Sequence, residues 1–351
     1  MTIFKHLSCA AALALAGGAL SAETVLIHGE AGPNRGARAD ALQWFADQVA
    51  ERSDGDIRFD IQWGGALFKS NAAVQSIADG VADTGSVIAV YYPQEMAGYG
   101  IADLPVNNPD AWVGMRATDE LMRSSQAIQD DLADKNLVYI GTWTTSQVNI
   151  GCKGGAIKSV GDISGKKVRG VGAYGKVFGE QGANMVNMSI YDAYQGLDTG
   201  LIDCSQGYSY AVAALKQAEV MDSYTILDWG QVGGLGIFMN KDMHDSLTSE
   251  QQETLASVGS DMADEFGRLI TEANEKAIAS MKEQGVEIIT LPEEDRATLV
   301  DAGKKFLDEW VQTADSTGLP GAQLLEEYQG LITKYTEARD ANGYPWEAKS
   351  N

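Results

Sequence analysis

Apolar residues recur along this chain with two spacings, every second position in short runs and every three to four positions in longer ones, and the two patterns alternate. Thr24 to His28 (TVLIH) reads as a short strand, and residues 37–52 (ARADALQWFADQVAER) place Ala41, Leu42, Phe45, Ala46 and Val49 on one helical face. "DIRFDIQWGG" alternates Ile57, Phe59 and Ile61 as a half-buried strand. A second amphipathic helix over 72–81 and the apolar strand "TGSVIAV" complete a β-α-β-α-β order. That order predicts a mostly parallel sheet with helices on its faces.

A long helix over 110–135 precedes "LVYIGTWTTSQVNIGC" (137–152), which exceeds one ordinary strand and predicts a crossing into a second lobe. A second α/β unit follows: the strand "KKVRGV", a helix after Tyr174, a helix over "SIYDAYQGLDTG" and the strand "LIDCSQGYS". "GGLGIFMNK" (233–241) reads as the return crossing. Beyond Asp245 the pattern is nearly all helical, opening on Thr248 with Gln251 placed for a capping box and closing with helices over 293–313 and 322–340. The expected organisation is a leader at 1–22, a first lobe at 23–148 to which 234–275 returns, and a second lobe at 149–233. C-terminal helices within 276–351 are expected to pack across both lobes. Two α/β lobes joined by crossing strands form a clamshell that holds a ligand in its cleft and closes by hinge motion.

Residues 1–22 carry Lys5 and His6, then an apolar stretch from Leu7 to Leu20, then the small residues Ser21 and Ala22, the layout of a cleavable secretory leader. Its apolar core is shorter than the ~20 residues that span a bilayer. The leader predicts a mature chain outside the cytoplasm, in the periplasm. It also removes Cys9, leaving Cys152 and Cys204 as either a disulfide or two buried thiols, with an oxidising compartment favouring the bridge. The formal charge of −23 becomes −24 once Lys5 leaves. Such acidity argues against nucleic acid and anionic membranes as partners.

The mature chain has only His28 and His244, no H-E-x-x-H and no cysteine pair at metal spacing, so an ordinary zinc hydrolase site is excluded. "GYSYA" lacks the second glycine of a serine-hydrolase elbow. Gly170, Gly172 and Gly175 do spell G-x-G-x-x-G, and Lys176 nearly completes a phosphate loop, but Val177 stands where a magnesium-binding Ser or Thr belongs. The strand before them, "KKVR", carries three cations in four residues, whereas the strand of a dinucleotide fold is a buried apolar run. These glycines are therefore expected to serve turns and close backbone approach, with no cofactor and no catalytic residue. Arg169 then becomes the candidate of interest. Its planar guanidinium at a strand end could grip a carboxylate or sulfonate with two parallel hydrogen bonds.

Residues 159–206 (SVGDISGKKVRGVGAYGKVFGEQGANMVNMSIYDAYQGLDTGLIDCSQ) resemble the signature segment of the substrate-binding proteins of tripartite ATP-independent periplasmic (TRAP) transporters, the DctP-type family. Asp162, Ile163, Gly165, Lys167, Val168 and Arg169 match its first strand, Gly182 and Ala183 its helix end, and Asp192, Tyr194, Leu197, Thr199, Gly200, Ile202 and Asp203 the remainder. "FADQVAERSDGDIRFDIQWGGALF" and "IADGVADTGSV" resemble the family's opening. The resemblance implies a two-lobed, type II-like periplasmic-binding-protein clamshell with crossing hinge strands and long C-terminal helices. It also implies a receptor that hands a small organic anion to the small and large membrane subunits of an ion-gradient-driven transporter, with Arg169 on the ligand's carboxylate. A sensory protein of the same fold working with a membrane kinase is the alternative.

The chain departs from that pattern where the family has G-Q-E-N-P and this sequence has Cys204, Ser205, Gln206, Gly207 and Tyr208. It departs again where Gly154, Gly155, Ala156 and Ile157 replace a basic stretch. Both changes weaken the case for a dicarboxylate, and the resemblance brings the strands bearing Cys152 and Cys204 near each other. Glu30, after the first strand, falls where the family places a ligand-facing polar residue; in the cleft it would repel a second carboxylate and accept an amine. Tyr91 and Tyr92 follow the third strand, and Tyr208 and Trp229 sit at equivalent edges of the second lobe. The candidate ligand set is thus Arg169, Glu30, Tyr91, Gln206, Tyr208 and Trp229, for a carboxylate or sulfonate monoanion or a zwitterion.

Overall fold

The computed structural model describes residues 23–106, 108 and 110–347. The leader at 1–22 lies outside the described residues. Among the described residues, eleven strands form two sheets. The first contains β1 (Thr24–Gly29), β2 (Ile57–Gln62), β3 (Thr84–Ile88), β4 (Leu137–Trp143) and β10 (Leu235–Asn240), in the order β2-β1-β3-β10-β4. The second contains β5 (Asn149–Cys152), β6 (Lys167–Arg169), β7 (Asn184–Val186), β8 (Cys204–Gly207), β9 (Ser223–Ile226) and β11 (Glu287–Thr290), in the order β11-β9-β5-β8-β6-β7. β1 runs parallel to β2 and β3, while β10 enters antiparallel between β3 and β4. In the other sheet β6 runs parallel to β7 and β8, and β5 runs antiparallel to β8 and β9.

Each sheet buries an apolar face under helices. Leu42, Phe45 and Val49 of the helix Ala37–Arg52 are fully buried, and that helix packs against β2 and the long helix Ser249–Glu283. Thr248 caps the long helix: its hydroxyl accepts from Gln251 N–H at 3.2 Å, and the Gln251 side chain accepts from Thr248 N–H at 3.0 Å. Such a cap is worth about 1 kcal/mol. Gly259 lets this helix seat directly on β4, since a Cβ there would lie 1.9 Å from the carbonyl oxygen of Ile140. Among the described residues no helix is long and apolar enough to cross a membrane.

The run 137–152 crosses between the sheets as expected, with β4 in one and β5 in the other, and its middle is the crossing itself. Other elements differ from the sequence expectation. The helix over 110–135 breaks at Ser125, whose hydroxyl caps a second helix, Gln126–Asp134. The helix over 293–313 is likewise two, Glu293–Gly303 and Lys305–Ser316. The region beyond Asp245 is not all helix, because β11 leaves the long helix and adds a parallel strand to β9. β7, a three-residue edge strand, is too short for the apolar pattern to mark.

A buried acid, Asp103, holds the start of the return crossing. Asp103 Oδ1 accepts from Gly234 N–H at 2.8 Å, while Oδ2 has no partner among the described residues. Burial pushes this carboxyl up to about 7 despite the bond from the Gly234 amide. A raised pKa in the folded chain gives stability that is fully present below the ordinary value of 3.8 and is lost as pH climbs through about 7. Asp103→Asn is uncharged at every pH, so its stability relative to wild type should rise between pH 4 and pH 7. Thermal melts across that range measure it, and a gap that stays constant with pH would refute the assignment.

Candidate functional site

Residues at or just after the carboxyl ends of β1, β3, β6 and β8 (Pro33, Ile88, Arg169 and Tyr208) line one cavity, the position where open α/β sheets place ligands. Tyr91 follows β3, Arg169 ends β6 and Tyr208 follows β8. Together with Arg38 and Tyr191 they line an inner cavity of about 50 Å³, whose remaining wall is largely apolar, including Ile88, Val171, Ile190 and Leu235. Arg35 lies at its exposed rim. Tyr91 and Tyr191 also border an outer cleft of about 960 Å³, with Lys69 and Asn71 on one side and Lys176 and Met188 on the other.

Arg169 is 1% exposed. Its Nε donates to the Met188 carbonyl at 3.2 Å, Nη1 to the Gln206 carbonyl at 3.2 Å and Nη2 to the Tyr91 hydroxyl at 3.2 Å. Those three bonds leave one N–H on each terminal nitrogen, the pair a carboxylate takes up in a fork. No carboxylate among the described residues forms an ion pair with it. A buried cation without a counter-charge is costly, so the cavity favours an anion. Tyr191 and Tyr208 stay neutral, because burial pushes both phenols far above their usual range.

Arg169 owes its position to the glycines after it. Gly172 adopts φ +59, and a Cβ on Gly170 would sit 2.9 Å from Gly175 Cα. The G-x-G-x-x-G run thus folds the first turn of the helix Gly172–Glu180 back onto the end of β6. Gln206 fixes that turn from below. Its Oε1 accepts from Val171 N–H at 2.9 Å and its Nε2 donates to the Tyr208 hydroxyl at 3.1 Å. Gln206 therefore positions both walls without lining the cavity.

Trp229 and Glu30, the other two residues expected on the ligand, lie elsewhere. Trp229 is fully buried, edge-on to Tyr174 at 4.8 Å and to Phe178 at 6.1 Å, so it belongs to the core of the second lobe and not to the cavity wall. Tyr92 is turned away too, donating to the Ser70 carbonyl at 2.6 Å. Glu30 is buried behind the cavity, and its carboxylate is already engaged. Oε1 accepts from Gly32 N–H at 2.5 Å and pairs with Arg38 Nη2 at 2.9 Å, while Oε2 accepts from the Ser86 hydroxyl at 2.5 Å. This pairing removes Glu30 as a free acceptor for a ligand amine. His28, behind Ser86, is held neutral, since burial pushes its imidazole down to about 4.

Sequence reasoning missed Arg38 and Tyr191. Arg38 Nη1 donates to the Tyr191 hydroxyl, and its guanidinium lies 5.4 Å from the centre of that ring. The sequence did carry a signal: Arg38 precedes Leu42, Phe45 and Val49 on the same buried helical stripe, where a charge needs a reason. Arg38 to Tyr191, Arg35 to the Ala214 carbonyl and Arg169 to Tyr91 all join one lobe to the other, so the cleft is drawn shut.

The expected bridge between Cys152 and Cys204 is present, joining directly opposed residues of β5 and β8. The family description "Bacterial extracellular solute-binding protein, family 7" (DctP) matches residues 28–313. The chain is 25% identical over 293 residues to the 2,3-diketo-L-gulonate-binding periplasmic protein YiaO of Escherichia coli, covering 82% of this chain and 85% of that one. It is similar to the crystal structure of a marine metagenome TRAP solute-binding protein specific for aromatic acid ligands, in complex with 3-hydroxybenzoate. That likeness has a TM-score of 0.79 at 25% identity, covering 89% of this chain and 99% of that one. A TRAP solute-binding protein from Rhodoferax ferrireducens in complex with benzoate shares the fold at a TM-score of 0.80 and 21% identity, covering 90% of this chain and 99% of that one. The family match spans most of the sequence and the two-lobed fold agrees with it, so this chain belongs to the DctP family of solute-binding proteins, which serve TRAP transporters.

Proposed function

We propose that this protein is a periplasmic receptor that captures a small organic acid bearing one carboxylate and an apolar or aromatic body. It then delivers the acid to the small and large membrane subunits of a TRAP transporter. The observation that carries the reading is Arg169, a buried guanidinium facing the cavity with two free N–H groups and no carboxylate partner among the described residues. Tyrosine rings and aliphatic side chains around it suit a flat apolar body. The aromatic-acid specificity of the metagenome relative points the same way. Among the described residues no carboxylate lines the inner cavity, and Glu30 is already paired with Arg38, which disfavours a zwitterion whose amine sits there. The leader at 1–22 supports export, and no observation favours the sensory alternative.

Thermal melting against benzoate, hydroxybenzoates, phenylacetate, mandelate, short aliphatic acids and sugar acids tests this. A true ligand at a hundred times its Kd stabilises the fold by ~2.7 kcal/mol. The largest shifts are expected from aromatic monocarboxylates. Shifts confined to neutral compounds or amines would sink the proposal.

A further inference from the structure

The cavity wall contains two deeply placed cations, Arg169 and Arg38, and a site with two cations ordinarily suits a dianion. Here the two differ in what lies behind them. Glu30, 1% exposed and not among the residues that line the cavity, contacts Arg38 at 2.9 Å and is itself fixed by Gly32 N–H and Ser86. Arg169 has only neutral partners: two carbonyls and a phenol. His28 adds no charge near neutral pH, and Arg35 is exposed, where water screens it. The buried charge of the wall is therefore one positive unit, although two guanidinium groups form it.

Resting on the solute-receptor reading, we propose that Glu30 is the residue that sets the ligand's charge: by neutralising Arg38 from behind, it restricts the cavity to monoanions. Arg38 keeps its hydrogen bond to Tyr191 and closes the cleft, but the attraction it would offer a second carboxylate is cancelled. The pair thus gives an arginine's shape and donors without its net charge. Glu30→Gln, which keeps the side chain's size and its acceptor oxygen, would uncover that charge and turn the site toward dianions.

Isothermal titration of wild type, E30Q and Arg169→Met with benzoate and the three benzenedicarboxylates tests the proposal. Wild type should prefer benzoate. In E30Q the ratio of dicarboxylate to benzoate affinity should rise by roughly tenfold or more for at least one isomer, the scale of one unit charge at partly buried range. If E30Q does not fold, Arg38→Gln tests the same balance from the other side. It leaves Glu30 uncompensated and should weaken benzoate by roughly tenfold or more. An unchanged ratio in E30Q, a wild type that prefers a dicarboxylate, or an R38Q protein that binds benzoate as tightly as wild type would overturn the proposal. If benzoate binds through Arg169 while the E30Q ratio stays flat, only this inference falls. If no acid binds wild type, the receptor reading falls with it.

Discussion

Replacing Arg169 with Met should weaken ligand binding by roughly thirty-fold to several thousand-fold while costing the ligand-free fold little. Removing one partner of a desolvated, hydrogen-bonded charge pair typically costs about 2–5 kcal/mol of binding. In the ligand-free protein, however, Arg169 has no counter-charge, so the same change removes a buried cation that only carbonyls and a phenol satisfy. Methionine fills much of the volume and needs no donor. Calorimetric titration and a thermal melt of the same sample separate the two effects. Binding that survives would mean that the anion sits elsewhere; a melting point that collapses with binding would mean that Arg169 is a structural strut.

The second large effect should come from the disulfide. Cys152 and Cys204 are 52 positions apart and directly opposed on β5 and β8. The loop they close contains β6 with Arg169, the glycine turn and the helix Gly172–Glu180. Closing a loop of that length restricts the unfolded chain by about 4 kcal/mol. The double variant Cys152→Ser with Cys204→Ser should therefore melt roughly 5–10 °C lower. Ligand affinity should fall by less than in the Arg169 variant, because β6 and β8 still pair through Val168 and Arg169. A melting point unmoved in both the variant and the reduced wild type would show that the unfolded chain is constrained in some other way.

The two-lobed α/β fold and its crossings were legible because they depend on long apolar patterns. A strand twice the usual length has to leave its sheet, and 137–152 does so between β4 and β5. β11 was not legible. "EIIT" is four residues whose two isoleucines are only half-buried, and it follows a helix of 35 residues whose periodicity runs up to it. The break at Ser125 was hidden for the opposite reason, since the apolar stripe continues through it and only a capping hydroxyl marks the stop. At the site, Arg169 could be found because a charge at the end of a strand must face something. Trp229 misled because an aromatic residue after a strand suits a cleft or a core equally well, and Tyr174 and Phe178 decide between them from positions far away in sequence. Glu30 was placed near the ligand, but its role depended on Arg38, and one residue cannot be interpreted without its partner.

The long helix Ser249–Glu283 has a mechanical consequence. At 35 residues it is roughly 50 Å long. It rests on Ala37–Arg52 and β4 of one lobe and reaches the helix Ser209–Ala214 and β11 of the other. The two crossing strands are a pivot, and this rod is a leaf spring clamped on both sides of it. Opening must flex the spring, so the swing should be short and the recoil set by the stiffness of the rod as well as by the ligand. Gly259 is one of its clamps. Any side chain there would lever the rod off β4 at Ile140 and reset the resting angle of the jaws without touching a residue in the bite.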